Sequence, residues 1–232
     1  MTPSHRVRCS VETMPGLTPL VRQSRLFSFL PAYPQPSNRR SLMALMLTAG
    51  PAIEPISVAD AKTHLRVDTI AEDILIASLI LTSRLHIEAA LGLSLITQSW
   101  QLTFDAFPDG NAVALPLHPI SAITAVRTTA SDGTITTLSA ASTIFDPGPP
   151  ARIVRTGPSW PHITAAANGI TIGFTAGFGS NATDVPAPIR QAMLLLVAHW
   201  YEHRDPIEIG EPDTAIPKAV SELLKPYRRP RL

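Results

Sequence analysis

Near its C-terminal end the chain reads His199-Trp200-Tyr201-Glu202-His203. Two histidines four residues apart share one helix face. With a glutamate between them they match the H-x-x-E-H pattern, in which the histidines bind zinc and the carboxylate activates a metal-bound water. A catalytic zinc also needs a third protein ligand. The nearby acids Glu208, Glu211 and Glu222 lie on no convincing second helix. His199 borders an apolar stripe, where a histidine more often serves the core, and His203 falls at a helix end, where its cation favours the dipole. The spacing makes a zinc-dependent hydrolase using His199, Glu202 and His203 an alternative reading. No catalytic and no metal residue is assigned.

Other chemistry fares worse. There is no G-x-S-x-G elbow, and Gly157-Pro158-Ser159-Trp160 reads as a turn. The glycine-rich stretch Gly173–Gly179 follows a strand pattern but lacks the Lys-Ser/Thr ending of a phosphate loop. Arg152 and Arg155 fall on opposite faces of a strand, so they make no basic stripe. Trp100, Trp160 and Trp200 suit core or interface positions better than a ligand cage. Cys9 is the only cysteine, which excludes an internal disulfide and a cysteine-based zinc site. No cofactor is expected, and the chain reads as a non-enzyme.

The elements that hold these residues follow from their periods. Ser57 and Asp60 form an N-cap pair opening a short helix to about Val67. Ala71-Glu72-Asp73 opens a second helix that ends at Leu91, before Gly92. Its apolar residues, among them Ile74, Leu75, Ile76, Leu79, Ile80, Leu81, Leu85 and Ile87, cover more than one face, which implies burial on two sides. From Leu95 the period becomes two, with Ile96, Trp100, Leu102 and Phe104 alternating with polar residues. Further strand segments are 112–117, 120–129, 134–138, 144–145, 152–155 and 169–175, and Asp132-Gly133 is a hairpin signal. Asp184, Pro186 and Pro188 suit the start of a long helix to about Arg204. A last short helix runs from Pro217 to about Lys225. The order predicts an α+β fold: a helical core of two N-terminal helices with one long and one short C-terminal helix. A small antiparallel β block, about 95–176, is inserted in it.

Charge divides the chain. Residues 1–42 contain six Arg and one acid, Glu12; of the chain's 19 Lys+Arg and 18 Asp+Glu, 13 and 17 remain in 43–232. That mildly acidic remainder argues against a nucleic-acid-binding regulator. The first 42 residues also carry six prolines and no sustained period. They read as a disordered extension, with translation expected to begin at Met43 and ordered patterning at Ile56. The apolar runs Ile74–Leu81 and Met193–Ala198 fall short of the roughly 20 residues that cross a bilayer, so no membrane span is expected.

Several segments, in order, resemble phage gp6-like head–tail connector (adaptor) proteins of tailed phages, prophages and gene transfer agents. They are Ile56–Val67, Glu72-Asp73 leading into a Leu/Ile-rich helix, Leu95–Trp100, Ile172–Gly179, and Val185–Ala192 through His199–Glu202. The resemblance covers about 56–232; residues 1–42 and the loop 208–214 have no counterpart in it. It implies a connector domain over 43–232, at the head–tail junction of a particle assembled in a bacterial cytoplasm; another neck or tail-completion subunit is the alternative within the same structural class. It also implies a homo-oligomeric ring of roughly twelve copies, closed by head-to-tail contacts. DNA would pass through the channel without sequence-specific binding, and the partners would be the portal and a neck or tail-completion protein. On this reading Leu223, Leu224, Tyr227, Arg228, Arg229 and Arg231 are expected at the portal or a neighbour. Leu75, Leu79, Leu81, Trp200 and Tyr201 are expected on the helices that pack subunits together.

Overall fold

The computed structural model describes residues 43–203 and 217–228. The expectations for 1–42, for the loop 208–214 and for Arg229 and Arg231 lie outside the described residues.

Four α-helices form one core. Helix α1 is Val58–Leu65, α2 is Asp73–Leu91, α3 is Ala187–Glu202 and α4 is Lys218–Leu224. Helix α1 starts where sequence requires: the Ser57 hydroxyl accepts from the Asp60 N–H at 3.0 Å, and the Asp60 carboxylate accepts from the Ser57 N–H at 3.2 Å. Two opposed capping bonds thus satisfy donors that a helix start leaves free. Helix α2 stops at Gly92, whose φ of 65° is a left-handed conformation that glycine adopts without steric cost. One face of α2, Ile76, Ile80, Ile87 and Leu91, packs with Ala61, Ile189, Met193 and Leu196. Among the described residues, α2 alone is long and apolar enough to cross a membrane by length and mean hydropathy, 1.6. The runs counted in sequence understated it because they stopped at Leu81. In the fold it packs against α1 and α3 and buries Arg84 and Glu88.

The expectation of a helical core with a small inserted β block is overturned. The described residues contain eight strands in two antiparallel sheets. The larger has the order β1-β2-β8-β4-β5: β1 Met43–Ala49, β2 Gln98–Phe104, β4 Ile120–Thr129, β5 Ile135–Thr137 and β8 Ile170–Ala176. The smaller has the order β3-β7-β6, from Ala112–Ala114, Arg152–Arg155 and Thr143–Asp146. Leu102, Phe104, Ile170, Ile172 and Phe174 of the larger sheet share a buried cluster with Val113, Leu115 and Ile153. The β region therefore owns a core separate from the helical one, which is why it cannot be a minor insert. Short strands and frequent prolines made it look slight in sequence, but pairing between distant segments builds the sheets.

Order begins earlier than Ile56, at strand β1. Ordered structure was expected only from Ile56, yet Met43–Ala49 runs antiparallel to β2, with Met43 opposite Phe104 and Leu45 opposite Leu102. Gly173 belongs to β8, and the glycine turn proper starts at Gly177. There φ is 139°, and a Cβ would lie 2.6 Å from the backbone of Ile96 and Thr97. Only glycine permits that crossing.

Candidate functional site

Helix α2 separates its residues into two rows. Positions 76, 80, 83, 87 and 91 face inward and are buried. A second row faces out: Ile74 is 88% exposed, Leu81 42% and Leu85 52%, with Ile70 just before the helix at 81%. From 74 to 85 the row spans about 16 Å at ~1.5 Å per residue. Ile74, Leu81 and Leu85 share one helix face with Ile70 just ahead of it, and, left open by the described residues, they form a surface suited to an apolar partner. Leu75 and Leu81 are exposed, whereas Leu79 is half-buried against the helical core. Trp200 also packs on that core and meets the His86 ring edge to face, centroids 5.9 Å apart. The Tyr201 hydroxyl donates to the Glu72 carboxylate, tying the end of α3 to the start of α2. The five residues expected to pack subunits therefore divide into two exposed on α2 and three engaged within the domain.

The C-terminal residues divide similarly. Leu224 is buried, Leu223 and Tyr227 pack partly against the helical core, and Arg228 is exposed. Arg228 lines a cavity of about 150 Å³ with His86, Leu91 and Val220, at the junction of α4 with α2. Leu224 spends its apolar surface inside the domain, whereas Leu223 and Tyr227 keep part of theirs open and Arg228 is exposed.

The histidine pair on α3 does come together, as the i, i+4 spacing predicts. The rings of His199 and His203 have centroids 4.7 Å apart, and His203 is the C-cap, its N–H donating to the His199 carbonyl at 3.0 Å. Among the described residues, no three His, Cys, Asp or Glu side chains converge as a metal site would need. The third ligand that zinc hydrolysis requires is absent from those residues.

Sequence reasoning missed a buried polar network beneath α2. Glu88 accepts from Arg84 Nη1 at 2.8 Å, from the Leu95 N–H at 2.8 Å and from Gln98 Nε2 at 2.7 Å. Arg84 Nε also donates to Glu54 at 2.8 Å. Burial pushes the Glu88 carboxyl above its ordinary value, outweighing the hydrogen bonds and the Arg84 charge that pull it down. Burial works against the Arg84 charge, but the Glu54 and Glu88 carboxylates outweigh it and hold the guanidinium above its usual value. The network fixes three segments: the 54 region before α1, helix α2, and the stretch leading into β2. Its signal in sequence was an Arg and a Glu four apart on the apolar side of a helix, where neither belongs unless paired.

No protein-family model matches the chain, and no curated protein does. Solved structures do. A chain in a structure described as the neck of an empty GTA particle computed with C6 symmetry is 29% identical, with a TM-score of 0.68, covering 81% of this chain and 97% of that one. A chain from the virion of a native gene transfer agent particle is 28% identical, with a TM-score of 0.70 and coverages of 81% and 96%. A third, from the neck of a native GTA particle computed with C12 symmetry, is 28% identical, with a TM-score of 0.66 and coverages of 81% and 97%. These likenesses run through nearly the whole of each of those chains, and they support a structural protein of the neck type in a phage-like particle.

Proposed function

We propose that this chain is a gp6-like head–tail connector: a non-enzymatic subunit of a ring between the portal and the next neck or tail component, around a channel for DNA. The observation that carries the reading is the outward aliphatic row of α2. A domain that buries one side of a helix and leaves Ile70, Ile74, Leu81 and Leu85 on the other presents an apolar surface for a neighbour. Neck chains of similar structure come from assemblies with sixfold and twelvefold symmetry, which supports identical copies around an axis. Leu75 and Leu81 then face the adjacent copy. Tyr227, Arg228 and the residues beyond reach the portal, since Arg and Tyr are favoured at interface cores.

Electron microscopy of the chain mixed with portal-bearing, tailless heads tests this. A ring of density at the portal exit is expected, with α2 between adjacent copies. Heads that remain bare at saturating protein, with the chain monodisperse and unbound, would refute the adaptor role.

A further inference from the structure

The large sheet is unfinished at β1. Residues directly opposite in a β-ladder point to the same face. The register places Met43 beside Phe104, Leu45 beside Leu102 and Leu47 beside Trp100. Phe104 and Leu102 are sealed in the β core, yet their β1 partners are 55% and 38% exposed, and Leu47 is 45% exposed. The apolar row of the sheet thus continues one strand further than its cover. All seven β1 residues are exposed, Met46 on the opposite face included. Among the described residues nothing pairs with the outer edge of β1. The strand is Met-Ala-Leu-Met-Leu-Thr-Ala, with no charge and no proline. Edge strands of proteins that stay apart are usually short, or carry charges, prolines or bulges that block further pairing. This edge is long and apolar, and its single irregularity falls at its far end, between Leu47 and Ala49.

Among the described residues the opposite end of the same sheet is also unpaired. Strand β5, Ile135–Thr137, is fully exposed and uncharged, with Ile135 64% exposed. One chain therefore carries two different uncharged sheet ends. Two unlike faces on one chain are the requirement for a head-to-tail contact that closes into a ring, and chains of similar structure come from particle necks computed with six- and twelvefold symmetry.

We infer that β1 is an intersubunit strand: its outer edge and its Met43–Leu45–Leu47 row are covered by a second copy of this chain, in a contact separate from the α2 row. The inference rests on the ring reading proposed above and adds to it a β-mediated contact between copies.

The test uses the full chain, with oligomeric state read by native mass spectrometry and light scattering. Three proteins are compared: wild type, Leu45→Asp on β1, and Ile74→Asp on α2. In parallel, a photoreactive benzophenone side chain at position 45 is irradiated and its adducts are mapped. The expected result is at least a tenfold rise in the concentration needed for Leu45→Asp to assemble, with circular dichroism unchanged. Adducts should join position 45 to another copy. The photoreactive readout stands if Leu45→Asp fails to fold. Assembly unchanged in Leu45→Asp but lost in Ile74→Asp would overturn the β1 contact and leave the ring reading intact. Adducts from position 45 to residues before Met43 of the same chain would also overturn it, the cover then being the chain's own. A wild type monomeric at every concentration, alone and on portal-bearing heads, would overturn both.

Discussion

Removing the Glu88 carboxylate should be among the most damaging single changes in the domain. Its two oxygens accept from Arg84, Leu95 and Gln98; Glu88→Ala strands the Leu95 N–H and the Gln98 amide and takes one of the two carboxylates from Arg84. Breaking a buried ion pair from one side costs about 3–5 kcal/mol. Counted separately, the Leu95 N–H and the Gln98 amide, each buried and left unsatisfied, cost about 1–3 kcal/mol apiece. Arg84 keeps Glu54, so the pair is not fully broken and the two stranded donors carry most of the loss, about 2–6 kcal/mol together. A loss of about 4 kcal/mol corresponds to a fall in Tm of about 8–16 °C for a domain of this size. Urea denaturation at matched protein concentration measures it, since assembly would make Tm depend on concentration. Glu88→Gln keeps an acceptor and should lose less. The titration gives a second check. Glu88 is raised by burial, so its contribution is full below its ordinary value and lost as pH rises through the raised one. The deficit of Glu88→Gln relative to wild type should therefore narrow as pH climbs through that window. Glu88→Ala within about 1 kcal/mol of wild type would refute the reasoning, and so would a deficit that widens with rising pH.

Ile74→Asp should leave the melting of the isolated chain within about 0.5 kcal/mol of wild type, because the side chain is 88% exposed. It should nevertheless abolish ring density on portal-bearing heads, since covering the exposed fractions of Ile70, Ile74, Leu81 and Leu85 is worth about 4–8 kcal/mol in all, at ~1.5–3 kcal/mol per fully buried aliphatic side chain. Gly177→Ala should destabilise by about 3 kcal/mol or more in chemical denaturation: the added Cβ meets backbone at 2.6 Å and φ is 139°. Ser57→Ala should cost about 1 kcal/mol by the same measurement, through loss of the hydroxyl that accepts from the Asp60 N–H.

Local chemistry made the helices readable. The Ser57/Asp60 pair set the start of α1, Gly92 the end of α2, and Pro186 and Pro188 the opening of α3, because caps and breakers act within one turn. Runs of β-prone residues punctuated by proline and glycine located Ile120–Thr129 and Arg152–Arg155 at their observed bounds. What stayed hidden is non-local. Phe104 pairs with Ile170, 66 positions away, and no local pattern encodes that partnership or the division into two sheets. Strand β1 escaped for a related reason: Met43–Leu47 has no alternation, and its pairing with β2 lies 50 residues or more downstream. Of the surfaces, the double-faced apolarity of α2 was legible as composition. That Leu224, Trp200 and Leu79 would turn inward, and that Glu88 would anchor three segments, depended on the packing of α3 and α4.

The meeting of the Leu95–Thr97 stretch with the Phe178–Gly179 turn has a kinetic consequence. Thr97 donates to the Gly179 carbonyl at 2.9 Å and Phe178 to the Leu95 carbonyl at 3.1 Å, so the chain leaves and re-enters the helical unit at one point. Between them lie the roughly eighty residues of β2 through β8, a long loop whose ends must be found before α2 and α3 can pack. Closure entropy grows by only ~0.6 kcal/mol per doubling of length, so replacing that loop by a turn of a few residues would relieve about 2–3 kcal/mol. Pairing of β2 with β8 does the same work in the natural chain. It acts as a clasp, so in folding kinetics the sheet should set the pace and the helices should follow.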